Sequence, residues 1–372
     1  MHYTCSLCHR SSPVAPTLFR CGCGGFFLAG QGRIFPREAP GGREAAIWRF
    51  REAYGLPEDL KPVSLGEGRT PLLPATVDGT GLLFKLDFLQ PTGSFKDRGA
   101  SVLISVVKTL GVKKVIEDSS GNAGAAVAAY CAAAGIGCTV FVPGYTPEEK
   151  LIQIRIYGAR VVKVPGTRQD AHEAAVQASR RTFYASHLWS PFFAQGIRSA
   201  AFEIWEELGE RAPSLVVAPL GSGGLVEGLF EGFRMLHQAG YAAKVPALVG
   251  VQAEHCSPIH TAFTTGLEDY AEVDTRSTVA EGISVQRPPR ARAVLKALRE
   301  SSGRTLSVTE EEILQALREL VSLGLYVEPT SAAALAGWRR LPAREQEGAV
   351  VVLTGHGLKE PTKLGTLLLQ AG

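Results

Sequence analysis

From Val112 onward the chain alternates between two patterns. Short, nearly unbroken apolar runs (VKKVIED, GCTVFVP, ARVVKVP, FYASH, SLVVAPLG, ALVGVQA and AVVVLTG) are separated by stretches with helical spacing, such as PEEKLIQIRIYG, RQDAHEAAVQASRRT and SAAFEIWEEL. An apolar run without polar alternation reads as a strand covered on both faces, and the intervening helices supply the cover. The prediction is an α/β protein with two open, mostly parallel sheets flanked by helices and joined by right-handed crossovers. Upstream, Trp48 to Leu60 predicts a short helix, and GEGRTPL at Gly66 to Leu72 a loop. Residues 97–190 are expected to form a smaller α/β domain, and residues 46–96 with 191–372 a larger one. Ligands of such sheets bind beyond the carboxyl ends of the strands, here in the cleft expected between the two sheets. Residues 1–45, rich in Cys, Gly and Pro and without helical period, make a small appended module.

Composition narrows the classes. The 372 residues are 45% hydrophobic and 20% charged, as in ordinary globular proteins. A net charge of +3 with no basic run argues against a nucleic-acid partner. Ala123 to Val142 carries no charge and is long enough to cross a bilayer, but Gly135-Ile136-Gly137 breaks it. A helix followed by a buried strand is expected there instead of a membrane segment. The start, MHYTCSLCHR, lacks the apolar run of a secretory signal, which predicts a cytoplasmic location. Of seven cysteines, Cys131, Cys138 and Cys256 sit in apolar surroundings and read as core. Cys5, Cys8, Cys21 and Cys23 form a C-x-x-C and a C-x-C pair, which reads as a zinc-ribbon-like knuckle around a structural zinc. The C-x-C spacing departs from the usual one, and four reduced thiols on a loop-rich arm is the competing reading.

The residues that could carry chemistry lie at strand-to-helix junctions. SLVVAPLG runs into Gly221-Ser222-Gly223-Gly224-Leu225 and then the helical pattern VEGLFEGFRML. Glycines in that position let backbone N–H groups converge on an anion, although a plain tight turn would also use them. Val226 stands where a dinucleotide fingerprint needs its third glycine, and no Gly-Lys-Ser/Thr follows, which leaves a cup for one compact phosphate. Ser119-Ser120-Gly121-Asn122-Ala123 opens the Ala-rich helix and suits a carboxylate, with more polar groups than an N-cap requires. Lys96, in PTGSFKDRG, falls in the first turn of a helix that Thr92 or Ser94 can cap. The helix dipole and desolvation beside Phe95 both favour its neutral amine, which is a nucleophile toward an aldehyde. Thr354 ends the run AVVVLTG, where its hydroxyl can meet a pyridine nitrogen or merely close a turn. A reactive lysine, a phosphate cup and a carboxylate loop together point to pyridoxal phosphate and an amino-acid substrate.

In this order, GEGRTPL, PTGSFKDRG, SSGNAG, PLGSGGL, EPTSAAALAG and LTGHGLKEP resemble the threonine synthase branch of the fold-type II pyridoxal-phosphate enzymes, over roughly residues 60 to 365. The resemblance implies Lys96 as the lysine that holds the cofactor as a Schiff base and then acts as base at Cα. It places Asn122 beside the cofactor 3′-oxygen, Gly221 to Leu225 around its phosphate and Thr354 at its pyridine nitrogen. Ser119, Ser120, Gly121, Asn122 and Ala123 would cradle the substrate carboxylate. The implied reaction is elimination or replacement at the β or γ carbon, with water and O-phosphohomoserine giving threonine and phosphate, in a homodimer of amino-acid biosynthesis. Dehydration of serine or threonine, or β-replacement on an activated serine, is the alternative. A regulator that keeps the fold without catalysis, its cysteine module recruiting a partner, is the reading from another class. One segment departs from the branch. Where its members carry a sequence like NSxNPxRxEGQKT that grips the substrate phosphate, anchoring on Pro191 and Gly196 puts His187, Leu188 and Phe193 in place of Asn, Ser and Arg. Phenylalanine offers no partner to a phosphate, so the substrate lacks one or meets another cation such as Arg198 or Arg155.

Overall fold

Each of the seven apolar runs forms a strand, and the strands sort into two sheets. The computed structural model describes residues 1–30, 32 and 46–369. The chain divides into two units, one of Met1–Gly68 with Lys96–Ser199, the other of Arg69–Phe95 with everything from Ala200 on. Residues 46–68, Lys96 and residues 191–199 thus lie with the smaller sheet, whereas the sequence reading groups them with the larger one. Buried hydrogen bonds explain the first assignment: Trp48 Nε1 donates to Ser101 Oγ at 2.9 Å, and the Val63 N–H donates to Ser105 Oγ at 2.7 Å. Of the expected module at 1–45, residues 31 and 33–45 lie outside the described residues.

In the first unit, Arg160–Val164, Gly137–Pro143, Lys114–Glu117 and Phe183–Tyr184 form a four-stranded sheet in that order, parallel throughout. The span from Ala123 to Val142 is the buried helix Asn122–Ala134 and the strand that follows, with Gly135 left-handed at the helix end (φ 69°). Among the described residues, no helix is long and apolar enough to cross a membrane. The expected helix from Trp48 is a 3-10 helix at Ala46–Tyr54, ended by Gly55 in the left-handed region and Pro57 beyond it.

Glu67, from GEGRTPL, ties this unit together. Fully buried, its carboxylate lies 2.7 Å from Ser101 Oγ and accepts bonds from the Tyr130 hydroxyl at 2.8 Å, the Leu65 N–H at 2.9 Å and Ser64 Oγ at 3.1 Å. Ser101 lies on the helix Lys96–Thr109 and Tyr130 on Asn122–Ala134, so one side chain fixes the loop to both helices.

The first thirty residues make a three-stranded antiparallel sheet of Ser11–Pro13, His2–Cys5 and Phe27–Ala29. Tyr3 stacks on Phe27 with ring centroids 4.6 Å apart and meets Phe192 at 5.8 Å. Phe19 meets the edges of Tyr184 and Trp189, and Gln195 Nε2 donates to the Gly30 carbonyl at 2.9 Å. The module is therefore packed against residues 184–195.

The second unit is a six-stranded sheet in the order Arg304–Val308, Ala247–Ala253, Leu215–Pro219, Val350–Leu353, Thr80–Leu86 and Leu72–Val77. All neighbours are parallel except the last pair, an antiparallel hairpin. The hairpin and Arg304–Val308 are strands that the sequence reading omits. Pro74 interrupts the first, and half-buried positions interrupt the second, so neither shows a continuous apolar run. The helix Pro329–Arg339 lies close on the sheet, where a Cβ on Gly337 would come within 2.3 Å of Val251 Cγ2. Lys85 is fully buried with Nζ 3.2 Å from Glu203 and 2.6 Å from Glu207.

Replacing Glu67 by Ala leaves several buried donors without an acceptor. The expected loss of stability is about 3 kcal/mol, measurable by urea unfolding of the purified chain.

Candidate active site

Lys96 is the first residue of the helix Lys96–Thr109 and is half-buried. The cap expected from Ser94 does not form, since its buried hydroxyl makes no hydrogen bond. Instead the turn before the helix is held by backbone within the second unit. The Phe95 N–H donates to the Thr354 carbonyl at 3.0 Å, the His356 N–H donates to the Gly93 carbonyl at 2.9 Å, and Ser94 bridges Gly355. Burial pulls the Lys96 amine down to about 8, with Arg168 adding to the effect and Glu117 opposing it. The neutral amine is therefore populated at mildly basic pH, as the sequence reading expects from helix position and desolvation.

Two glycines create the wall beside this amine. A Cβ on Gly196 would fall 2.0 Å from the Arg98 carbonyl oxygen, and one on Gly99 would fall 2.4 Å from the Phe193 ring. The helices Lys96–Thr109 and Pro191–Ile197 can thus approach closely, which places the Phe193 ring centroid 5.8 Å from Lys96 Nζ. Of the other cations considered from sequence, Arg155 is exposed and pairs with Glu148, and Arg198 is buried and not free.

At the carboxyl end of the strand Lys114–Glu117, the loop through Ser119 leads into the helix Asn122–Ala134. Gly121 stands at its N-cap, and no side chain caps it. Ser119 Oγ instead accepts the Gly121 N–H at 3.4 Å, and a helix start without a side-chain cap suits an anion. A Cβ on Gly124 would collide with the Ser119 carbonyl oxygen at 1.9 Å, which explains the second glycine of SSGNAG.

Behind this loop lies a cluster that the sequence reading does not anticipate. Glu117 is fully buried with an oxygen 2.6 Å from His187 Nδ1, and Asp118 lies 2.8 Å from His172 Nδ1. Tyr184 completes it, its hydroxyl 3.3 Å from the same nitrogen of His172. Burial, then the Asp118 charge, push the Glu117 carboxyl well above the usual range. Burial pushes Asp118 up most strongly, but its hydrogen bond with His172 and the nearby His187, His172 and Arg168 charges together outweigh that and hold it low. Burial, reinforced by Lys96, keeps His187 well below an ordinary histidine. Two acids at the end of a buried strand are the available signal, because such groups require buried partners.

In the second unit, the strand Leu215–Pro219 turns through Gly221-Ser222-Gly223 into the helix Gly224–Gln238. Gly223 is left-handed (φ 91°) at the N-cap, and a Cβ there would also strike Val294. A Cβ on Gly224 would meet nothing within 4 Å, so the helix start is open on that side, and no side chain caps it. Thr354 is buried just past the strand Val350–Leu353. Ser331 Oγ accepts the N–H groups of Thr354 at 2.9 Å and Gly355 at 3.1 Å and lies 3.2 Å from Thr354 Oγ1. With both acceptor sites of Ser331 occupied, the Thr354 proton is not needed there and can be donated elsewhere. Ser331 lies within the quoted motif EPTSAAALAG, but the sequence reading gives it no such part.

Lys96, Ser119 to Ala123, His187, Leu188 and Phe193 therefore lie in the first unit, and Phe95, Gly221 to Leu225 and Thr354 in the second. The four sulfurs of Cys5, Cys8, Cys21 and Cys23 lie within 4.8 Å of one another, with Cys5 3.4 Å from Cys23 and Cys8 3.6 Å from Cys21. Four thiolates around a tetrahedral zinc, each bonded at about 2.3 Å, stand about 3.8 Å apart, so the cluster fits. The C-x-C spacing is accommodated by a tight turn with Gly24 left-handed and by Gly25, where a Cβ would press on Cys5 Sγ at 2.6 Å.

Residues 63–355 match the family model described as pyridoxal-phosphate dependent enzyme. Threonine synthase of Methanocaldococcus jannaschii is 34% identical over 96% of this chain and 92% of its own length, and that of Synechocystis is 35% identical over 88% of each. Among solved structures, the threonine deaminase of T.th. aligns with a TM-score of 0.68 and 29% identity over 77% of this chain and 92% of that one. Maize serine racemase shares the fold, with a TM-score of 0.70 at 20% identity over 81% and 92% of the two chains.

Selective labelling of accessible amines, followed by mass spectrometry across pH, is expected to show the cofactor-free Lys96 titrating near 8. Exposed lysines should titrate about two units higher.

Proposed function

The chain belongs to the pyridoxal-phosphate dependent enzymes, in their threonine synthase-like branch, and from that premise we propose that it catalyses elimination or replacement at the β or γ carbon of a small amino acid. The observation that carries this reading is the half-buried Lys96 amine, 5.8 Å from the Phe193 ring centroid and lowered to about 8. Pyridoxal phosphate, when bound, supplies an electron sink for the carbanion at Cα. Lys96 would hold it and then move the Cα proton. The backbone from Gly221 to Leu225, open at Gly224, would receive its phosphate, Thr354 would donate its spare proton to the pyridine nitrogen, and Asn122 would face the 3′-oxygen. Phe95 contributes its backbone N–H, bonded to Thr354, to hold the turn before Lys96. The first-turn N–H groups at Ser119 to Ala123 suit the substrate carboxylate.

Two finer readings stand. The names of the curated relatives support threonine formation from O-phosphohomoserine. The Phe193 ring over Lys96 and the paired acids behind it favour an unphosphorylated substrate, as in dehydration of serine or threonine. The non-catalytic reading has no observation behind it, since Lys96, Asn122, the glycine turn and Thr354 are all retained. The same proposal has the enzyme working as a cytoplasmic homodimer, and its four clustered thiolates holding a structural zinc with no open position for catalysis.

Purified protein is expected to show Schiff-base absorbance that Lys96→Ala abolishes, and a colourless wild type after cofactor addition would overturn the enzyme reading. Phosphate release from O-phosphohomoserine against keto-acid release from serine or threonine separates the finer readings. For the metal, elemental analysis should find about one zinc per chain, and strong chelation should lower the melting temperature.

A further inference from the structure

The first unit contains an acid–imidazole pair to which the reading above gives no part in proton transfer. Glu117 is fully buried, and its Oε1 lies 2.6 Å from His187 Nδ1. Its other oxygen makes no hydrogen bond. The second ring nitrogen of His187, Nε2, has no hydrogen-bond partner among the described residues. The His187 and Phe193 ring centroids are 6.1 Å apart, and Lys96 Nζ lies 5.8 Å from the Phe193 centroid. The imidazole and the amine thus flank one aromatic wall. Burial raises the proton affinity of the Glu117 carboxyl and lowers that of the His187 ring, so the 2.6 Å contact suits a carboxyl proton shared with a neutral imidazole. The carboxyl then donates to Nδ1, and Nε2 carries a proton that it can give away.

Resting on the pyridoxal-phosphate reading, we infer that His187 is the general acid for the departing side-chain oxygen, with Glu117 as its positioning residue, and that the substrates are amino acids with a free hydroxyl on Cβ. A hydroxyl needs a proton to leave as water, whereas a phosphate departs as a stable anion and needs none. As the C–O bond breaks, its electron pair stays on oxygen, the Nε2 proton moves to that oxygen, and the Glu117 proton moves to Nδ1. Lys96 takes the Cα proton. The ammonium and the new Glu117 carboxylate attract each other, so the buried site separates charge within one neighbourhood. Return of the Lys96 proton to His187 Nε2, with the Nδ1 proton passing back to Glu117, restores all three groups, and the net change is loss of water from the amino acid. Asp118, held ionised close by, would repel a phosphate dianion.

The test compares kcat/KM for L-serine and L-threonine with that for β-chloro-L-alanine, whose chloride leaves unprotonated, using the holoenzyme throughout. Wild type should dehydrate at least one of the hydroxy amino acids. His187→Asn should lower that rate by about 100-fold and leave β-chloroalanine turnover within about threefold. Glu117→Gln keeps the size and polarity of the side chain and should show the same selective loss, with a displaced pH profile. Cofactor absorbance and melting temperature should be unchanged in both variants. Equal losses on the two substrate types would overturn the acid role. Phosphate release from O-phosphohomoserine by a wild type that dehydrates neither hydroxy amino acid would overturn the substrate class. A wild type that takes up no cofactor would instead remove the underlying enzyme reading, so the two failures are distinguishable.

Discussion

The close approach of the helices Lys96–Thr109 and Pro191–Ile197 sets the environment of the site. It is possible because Gly99 and Gly196 lack a Cβ, since added atoms would overlap Phe193 and the Arg98 carbonyl. Close packing brings an aromatic ring beside the lysine, and the loss of water there moves its proton affinity toward neutrality. A larger residue at either glycine would force the two helices apart. The chemistry proposed for Lys96 therefore depends on two residues that have no functional group.

Each unit prepares a different kind of contact. The first offers an amine, an uncapped helix start and a set of buried acids with their histidines. The second offers an open glycine turn and a hydroxyl whose proton is free because Ser331 already accepts two N–H groups. Backbone donors dominate where anions are expected, and ionisable side chains dominate where protons must move. Such groups, pushed apart in proton affinity by burial, are where acid and base roles are found.

Much of this is legible in the chain. Unbroken Val/Ile/Leu runs announce seven strands because burial on both faces leaves no alternation, and glycine-bearing junctions mark both of the proposed anion sites. The edge strands Leu72–Val77, with Pro74, and Arg304–Val308 escape notice because they mix polar and apolar positions. The domain boundary differs because it depends on long-range hydrogen bonds such as Trp48 to Ser101, which leave no local pattern. Glu67 reads as part of a loop, and its role as the hub of four hydrogen-bonding groups exists only in three dimensions. His187 stands out in sequence as a departure from a motif, yet its pairing with Glu117, 70 positions away, becomes visible only where strand and segment meet.

The packing of the cysteine module has a consequence for communication within the first unit. Tyr3 and Phe19 touch Phe192, Tyr184 and Trp189, and Gly30 receives a hydrogen bond from Gln195. His187 and Phe193 belong to that same short ribbon of chain. The fold of the cysteine cluster therefore supports, through these rings, the segment that carries the aromatic neighbour of Lys96.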